Sequence, residues 1–198
     1  MPTKTFTNLN QTKQDAVFNA LLNEFSQYKL SEAQVARIIK DCDIARGSFY
    51  KYFGDITDSY NYTLKRVLDK VHFDVFTMIK HETNNTLDSF YQATANFIDE
   101  INHSKYREFY RMYVAYNQYD LKAPSFDYHQ LAKDALIMYV NGQQIDDLNS
   151  IAVIYKTATD ASHNVIRAVL LGADQSEELN DLKTLFKVLS LGVVKESV

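Results

Sequence analysis

The stretch from Ser31 to Phe53, SEAQVARIIKDCDIARGSFYKYF, leaves the fold the fewest options. Ser31 with Gln34 three residues later is a capping-box pattern, in which each side chain satisfies a backbone donor left free at a helix start. Val35, Ile38, Ile39 and Cys42 follow at helical spacing and give one apolar face. Asp41, Cys42 and Asp43 interrupt that spacing. Asp tolerates the left-handed backbone that a sharp turn between helices requires. A second helix is expected from Ala45 to Tyr52, stopped by Gly54. Two helices this short, joined this tightly, predict a helix-turn-helix.

The second helix has an unusual surface. Phe49 and Phe53 are its apolar anchors, while Arg46, Gly47, Ser48, Tyr50, Lys51 and Tyr52 are small, polar, aromatic or basic. A helix that enters a DNA major groove needs such a surface, with its N-terminal residues near the bases. Arg46 can offer two donors to a guanine edge. Gly47 lets the backbone come close. Ser48, Tyr50, Lys51 and Tyr52 can donate to phosphates and hold the register, and Ser31 is a further candidate contact. The plainer reading is a helical hairpin inside an ordinary all-α domain.

The run IARGSFYKYF resembles the recognition-helix signature of tetracycline-repressor-type (TetR family) regulators, Val-Ser-Lys/Arg-Gly-Thr-Leu-Tyr-x-His/Tyr-Phe. Ile44, Arg46, Gly47, Ser48, Phe49, Tyr50, Tyr52 and Phe53 fit it. Three positions depart from the family's habit: Cys42-Asp43 replaces Ala-Gly, Ile38-Ile39 replaces Ile-Ala, and Ile56 replaces a frequent lysine. The resemblance covers the first quarter of the chain closely and the remainder only in size and helical character. It implies an all-α homodimeric transcription regulator, most often a repressor, acting on a roughly palindromic double-stranded DNA operator. It also implies dimerisation through the last two helices and control by a small-molecule effector.

Composition agrees with long helices: 198 residues hold only 5 Gly and 2 Pro, and 46% are hydrophobic. The net charge of −4 is unevenly spread. Residues 1–54 carry 7 Lys/Arg against 5 Asp/Glu, and the rest carry 14 against 20. A weakly basic head on an acidic body favours approach to DNA by one end. The expected division is therefore a helix-turn-helix domain over 1–54 and a helical ligand-binding and dimerisation domain over 55–198. One cysteine, Cys42, excludes an internal disulfide, and its place on an apolar face predicts a buried structural thiol. No signal pattern and no bilayer-length apolar run is visible, so a cytoplasmic protein with no membrane partner is expected.

Along the chain, residues 1–11 read as polar and loose, with Lys4 and Lys13 free to touch a DNA backbone. Thr12 and Asp15 suggest a cap for a helix through Val17, Leu21 and Phe25 to Tyr28. Asp55 and Asp58 open a long connecting helix, whose apolar stripe from Tyr60 runs as far as Lys80. Thr86 caps the next helix. The segment YREFYRMYVAYNQY then crowds tyrosines together. Phe109, Tyr110 and Tyr113, with Tyr139, are candidate ligand-binding residues, because aromatic faces suit flat or cationic molecules. Ordinary aromatic packing is the competing explanation. Pro124 and Ser125 start a helix expected to run through Tyr139 to Asn141-Gly142. Helices from Leu148 to Leu171 and from Asp174 onward close the chain. Leu179, Leu182, Phe186, Leu189 and Val193 in the last one have the seam spacing of a bundle that two subunits can share.

An enzyme is the weaker expectation. Glu100–His103 and Asp160–His163 are spaced three apart, as in helical-bundle metal sites, but nothing marks the further carboxylates such a site needs. No phosphate loop, nucleophile elbow or zinc pattern appears, and nothing calls for a cofactor. A helical ligand-binding or adaptor protein without regulatory DNA binding remains the alternative from another class.

Overall fold

A computed structural model describes residues 2–71, 84–117, 127–130 and 136–195. The chain divides into two compact units, Met1–His72 with His103–Ala123 and Phe73–Asn102 with Pro124–Val198. The boundary expected at 54/55 thus falls inside the first unit.

The first unit begins with α1 (Lys4–Thr7), where the sequence predicts loose chain. The correction comes from Phe6, which is buried against the rings of Tyr52, Phe53 and Tyr62 at 5.6, 5.1 and 5.2 Å. Next, α2 (Gln11–Gln27) is capped by Asn10, whose side chain accepts from the Lys13 N–H, so Thr12 is not the cap. Val17, Phe18, Leu21 and Phe25 are buried along one side of α2, each contributing about 1.5–3 kcal/mol of transfer free energy. A 3-10 turn (Leu30–Glu32) leads to α3 (Val35–Asp41), a tight turn and α4 (Arg46–Tyr52). The connecting helix, α5, spans Ile56–Leu68 and not the 25 or so residues its stripe suggests. Asp55 caps it by accepting from the Asp58 N–H at 2.7 Å. The chain turns after Leu68, and the stretch from there to Lys80 lies largely outside the described residues.

In the second unit, α6 (Thr86–Asn102) buries Phe90, Phe97, Ile98 and Ile101, as its spacing predicts. Asn85 provides the cap by accepting from Leu87 N–H, which leaves the Thr86 hydroxyl to accept from Tyr139 N–H at 2.8 Å. The first unit resumes with α7 (Arg107–Met112), which runs into a π-helical turn (Tyr113–Asn117). The helix expected to end at Asn141-Gly142 is helical at residues 128–130, but its C-terminal end is corrected to an antiparallel hairpin of β1 (Met138–Val140) and β2 (Gln143–Ile145). Asn141 and Gly142 both take positive φ, 52° and 78°, the backbone of a two-residue hairpin turn. Pro124, Ser125, Phe126 and Leu131 lie outside the described residues.

The two closing helices are α8 (Leu148–Leu170) and α9 (Gln175–Lys195). Asp147 caps α8, Gly172 ends it at φ 106°, and Asp174 accepts from Glu177 N–H at 2.9 Å to start α9. Phe90 meets Tyr155 and Phe186 at 5.4 and 6.3 Å, so α6, α8 and α9 share one core. Inside it, the buried hydroxyls of Thr94 and Ser162 pair at 2.9 Å. Among the described residues no helix is long and apolar enough to cross a membrane.

Candidate nucleic-acid interface

The turn between α3 and α4 works as its sequence predicts. Asp43 sits in the left-handed region at φ 49°, and Ile44 N–H donates back to the Ile39 carbonyl at 3.1 Å. Cys42 is only half-buried, and its Sγ lies 3.1 Å from the Ile38 carbonyl oxygen. Loss of solvent, aided by neighbouring Asp41 and Asp43, holds the thiol above its ordinary pKa, so it rests as a neutral thiol.

Ser31 does not cap α3. It is exposed within the 3-10 turn, and the helix begins four residues later with Gln34 as its cap residue. The capping box is replaced by a charged partner from α2. Glu24, 4% exposed, accepts from Gln34 N–H at 2.7 Å and from the Arg37 guanidinium. Arg37 also donates to the Glu32 carbonyl and lies 3.8 Å over the Tyr28 ring. A tertiary ion pair therefore does the work assigned to a local cap, and it fastens α3 to α2.

Phe49 on α4 and Phe53 just past its end are fully buried and orient the helix. Arg46, Gly47, Tyr50 and Lys51 are exposed, and Ser48 is half-buried. Arg46 donates to the Tyr50 hydroxyl at 3.4 Å. Both line a groove with Ala33, Gln34, Val35 and Ala36 from the start of α3 and with Asp55 and Ile56. Tyr52, expected as a phosphate contact, is 9% exposed with its ring on Phe6. Helical spacing explains this, since residues 49 and 52 share one face of α4 and the core takes that face.

Of the candidate ligand residues, Phe109 is fully buried and stacks on Tyr60 at 5.6 Å. Tyr110 is buried edge-on to Tyr113 at 5.7 Å, and burial pushes both hydroxyls above their ordinary pKa. Tyr139 stands on β1 in the second unit, its hydroxyl donating to Gln144 at 3.4 Å. The four therefore belong to different units. Among the described residues no three His, Cys, Asp or Glu side chains gather as metal ligands, and Asp160 is engaged by Lys156 at 3.0 Å.

No family model matches the sequence, and no curated protein matches it. Solved structures do match. A TetR family transcriptional regulator from Chloroflexus aurantiacus superposes with a TM-score of 0.50 at 18% identity, covering 97% of this chain and 98% of that one. A TetR-family regulator from Streptomyces coelicolor superposes with a TM-score of 0.56 at 11% identity, covering 93% and 98%. This chain has the TetR-type fold. Within the TetR-type architecture, the sequence missed the parts that brace the head. Thr3 donates its backbone N–H to the Tyr52 carbonyl at 2.9 Å and its hydroxyl to the Lys51 carbonyl at 2.6 Å, closing the C-terminal end of α4. Phe6 is the signal that could have found this brace, as a large apolar residue isolated in a polar segment.

Proposed function

We propose that the protein is a sequence-specific DNA-binding transcription regulator that works as a homodimer, represses from a roughly palindromic operator, and responds to a small molecule. The observation that carries DNA binding is Gly47. A Cβ added there meets nothing within 4 Å, so the fold has no need of glycine at an exposed helical position. Glycine costs about 0.5–1 kcal/mol relative to alanine in the middle of a helix, which is the upper bound for Gly47, the second residue of α4. Close approach of another molecule's backbone accounts for that cost, and Arg46 and Lys51 beside it supply the charge for a nucleic acid. The solved structures that share the fold are described as transcriptional regulators, which supports the same reading.

Dimerisation is supported by the outer side of the closing helices. Val153 on α8 and Val188 and Leu191 on α9 are each more than half exposed. Val153, Ile154, Val188 and Leu189 line one shallow groove with Gly192. Contiguous exposed apolar surface of this kind marks an interaction site, and a second copy of the same two helices completes a four-helix bundle. The two heads would then read half-sites about one helical turn apart. Response to an effector follows if the ligand prefers the state in which the heads are wrongly spaced, with the aromatic segment around Tyr110 and Tyr113 as the candidate place for it.

The deciding experiment is selection of duplexes from random DNA, followed by affinity measurement across a salt series. Enrichment of a palindromic sequence bound about a thousandfold tighter than unselected DNA is expected, with a steep salt slope. Equal, weak binding to all duplexes would remove the regulator reading and leave a helical ligand-binding protein.

A further inference from the structure

Asn117 closes the π-helical turn and is 1% exposed. Its Oδ1 accepts the Leu30 backbone N–H at 3.2 Å. Its Nδ2 donates to the Tyr60 hydroxyl at 3.2 Å. A backbone N–H can only donate, so Leu30 settles which end of the amide faces it. Leu30 opens the 3-10 turn immediately before α3, and Tyr60 lies in the first half of α5, immediately after α4. One side chain therefore holds the chain on both sides of the helix-turn-helix.

Neither hold is replaceable by packing. Leu30 N–H stands at the start of a turn, where no helical carbonyl serves it. The Tyr60 ring is fully buried between Phe25 at 4.9 Å and Phe109 at 5.6 Å, and burial keeps its hydroxyl neutral. An apolar residue at 117 would leave the buried Tyr60 hydroxyl and the part-buried Leu30 N–H without these partners, which costs more than the bonds contribute when made. The π-helical turn aims the amide. Neighbouring residues of an α-helix stand about 100° apart, so one extra residue in the turn redirects the side chain that follows.

From this geometry we infer that Asn117 is a positioning residue for DNA recognition, setting the pose of α4 by holding Leu30 and Tyr60 at a fixed separation. The inference rests on the DNA-binding reading, and the test separates the two. Asn117→Leu, Tyr60→Phe and the wild type are compared for hydrogen exchange at Leu30 and across Phe49–Phe53. They are also compared for affinity toward a duplex enriched by the wild type and toward an unselected duplex of equal length. In Asn117→Leu, exchange at both places should speed up by about tenfold while Val17–Phe25 is unchanged. Its preference for the enriched duplex should fall by about tenfold, with affinity for unselected DNA within about twofold of wild type, because the charges are unaltered. Tyr60→Phe keeps the ring and loses one hold, so it should move the same way by less, and it decides the matter if Asn117→Leu fails to fold. Unchanged exchange over Phe49–Phe53 overturns the inference, as does an affinity loss equal on both duplexes. Should the wild type enrich no duplex, the regulator reading fails, and the exchange arm alone supports or overturns the hold of Asn117 on α4.

Discussion

Arg46, Gly47 and Lys51 occupy one exposed surface, but removal of each should be felt differently. Arg46→Ala should cost about 1–3 kcal/mol on the selected operator and relax the preference at one base position, read by competition with single-base variants. Lys51→Ala should weaken all duplexes alike and lower the salt slope by about one unit. Gly47→Ala should raise the melting temperature, corresponding to no more than about 0.5–1 kcal/mol, while weakening operator binding. A gain in both would remove the argument from close approach. Elsewhere on the first unit, the Arg66 guanidinium donates to the Asp15 carboxylate, with Gln11 as a second donor, and holds that carboxyl below its usual range. A depressed folded pKa means that stability is present at neutral pH and is lost as pH falls through the folded value, below about 4. Asp15→Asn should therefore flatten the dependence of melting temperature on pH between about 2 and 5.

At the scale of elements, the head depends on pieces too short to stand alone. The four residues of α1 have no helical stability of their own. They are held by Phe6 in its aromatic cluster and by Thr3 on the end of α4. Phe6→Ala should destabilise the first unit by about 3 kcal/mol, measured by urea denaturation, and should loosen α4 before α2. The hairpin carries a lesson about signals. Asn141-Gly142 between short apolar runs is a strong hairpin dipeptide, because both residues accept positive φ. The same pair also reads as a helix stop. The helical period upstream outweighed the hairpin signal, although Met138, Val140 and Ile145 also fit the alternation of a half-buried strand.

At the scale of the whole molecule, the proposed regulation needs two heads at a fixed spacing, and on that proposal the outer faces of α8 and α9 matter as much as α4. Wild-type protein should sediment as a dimer. Val188→Glu should sediment as a monomer with its helix content retained, and its affinity for the palindrome should fall toward that for unselected DNA. A wild type that sediments as a monomer at micromolar concentration would exclude the shared four-helix bundle.

The sequence alone determined the local features: the helix-turn-helix and its Asp43 turn, the anchors Phe49 and Phe53, and the closing helices with Gly172 between them. Each follows from short-range rules of periodicity, backbone sterics and capping. Tertiary structure decided the rest. It turned Tyr52 inward, gave Gln34 N–H to Glu24 in place of Ser31, ended α5 early, and brought Asn117 between Leu30 and Tyr60. Those outcomes depend on which buried polar group meets which partner from a distant part of the chain. No local pattern encodes that pairing.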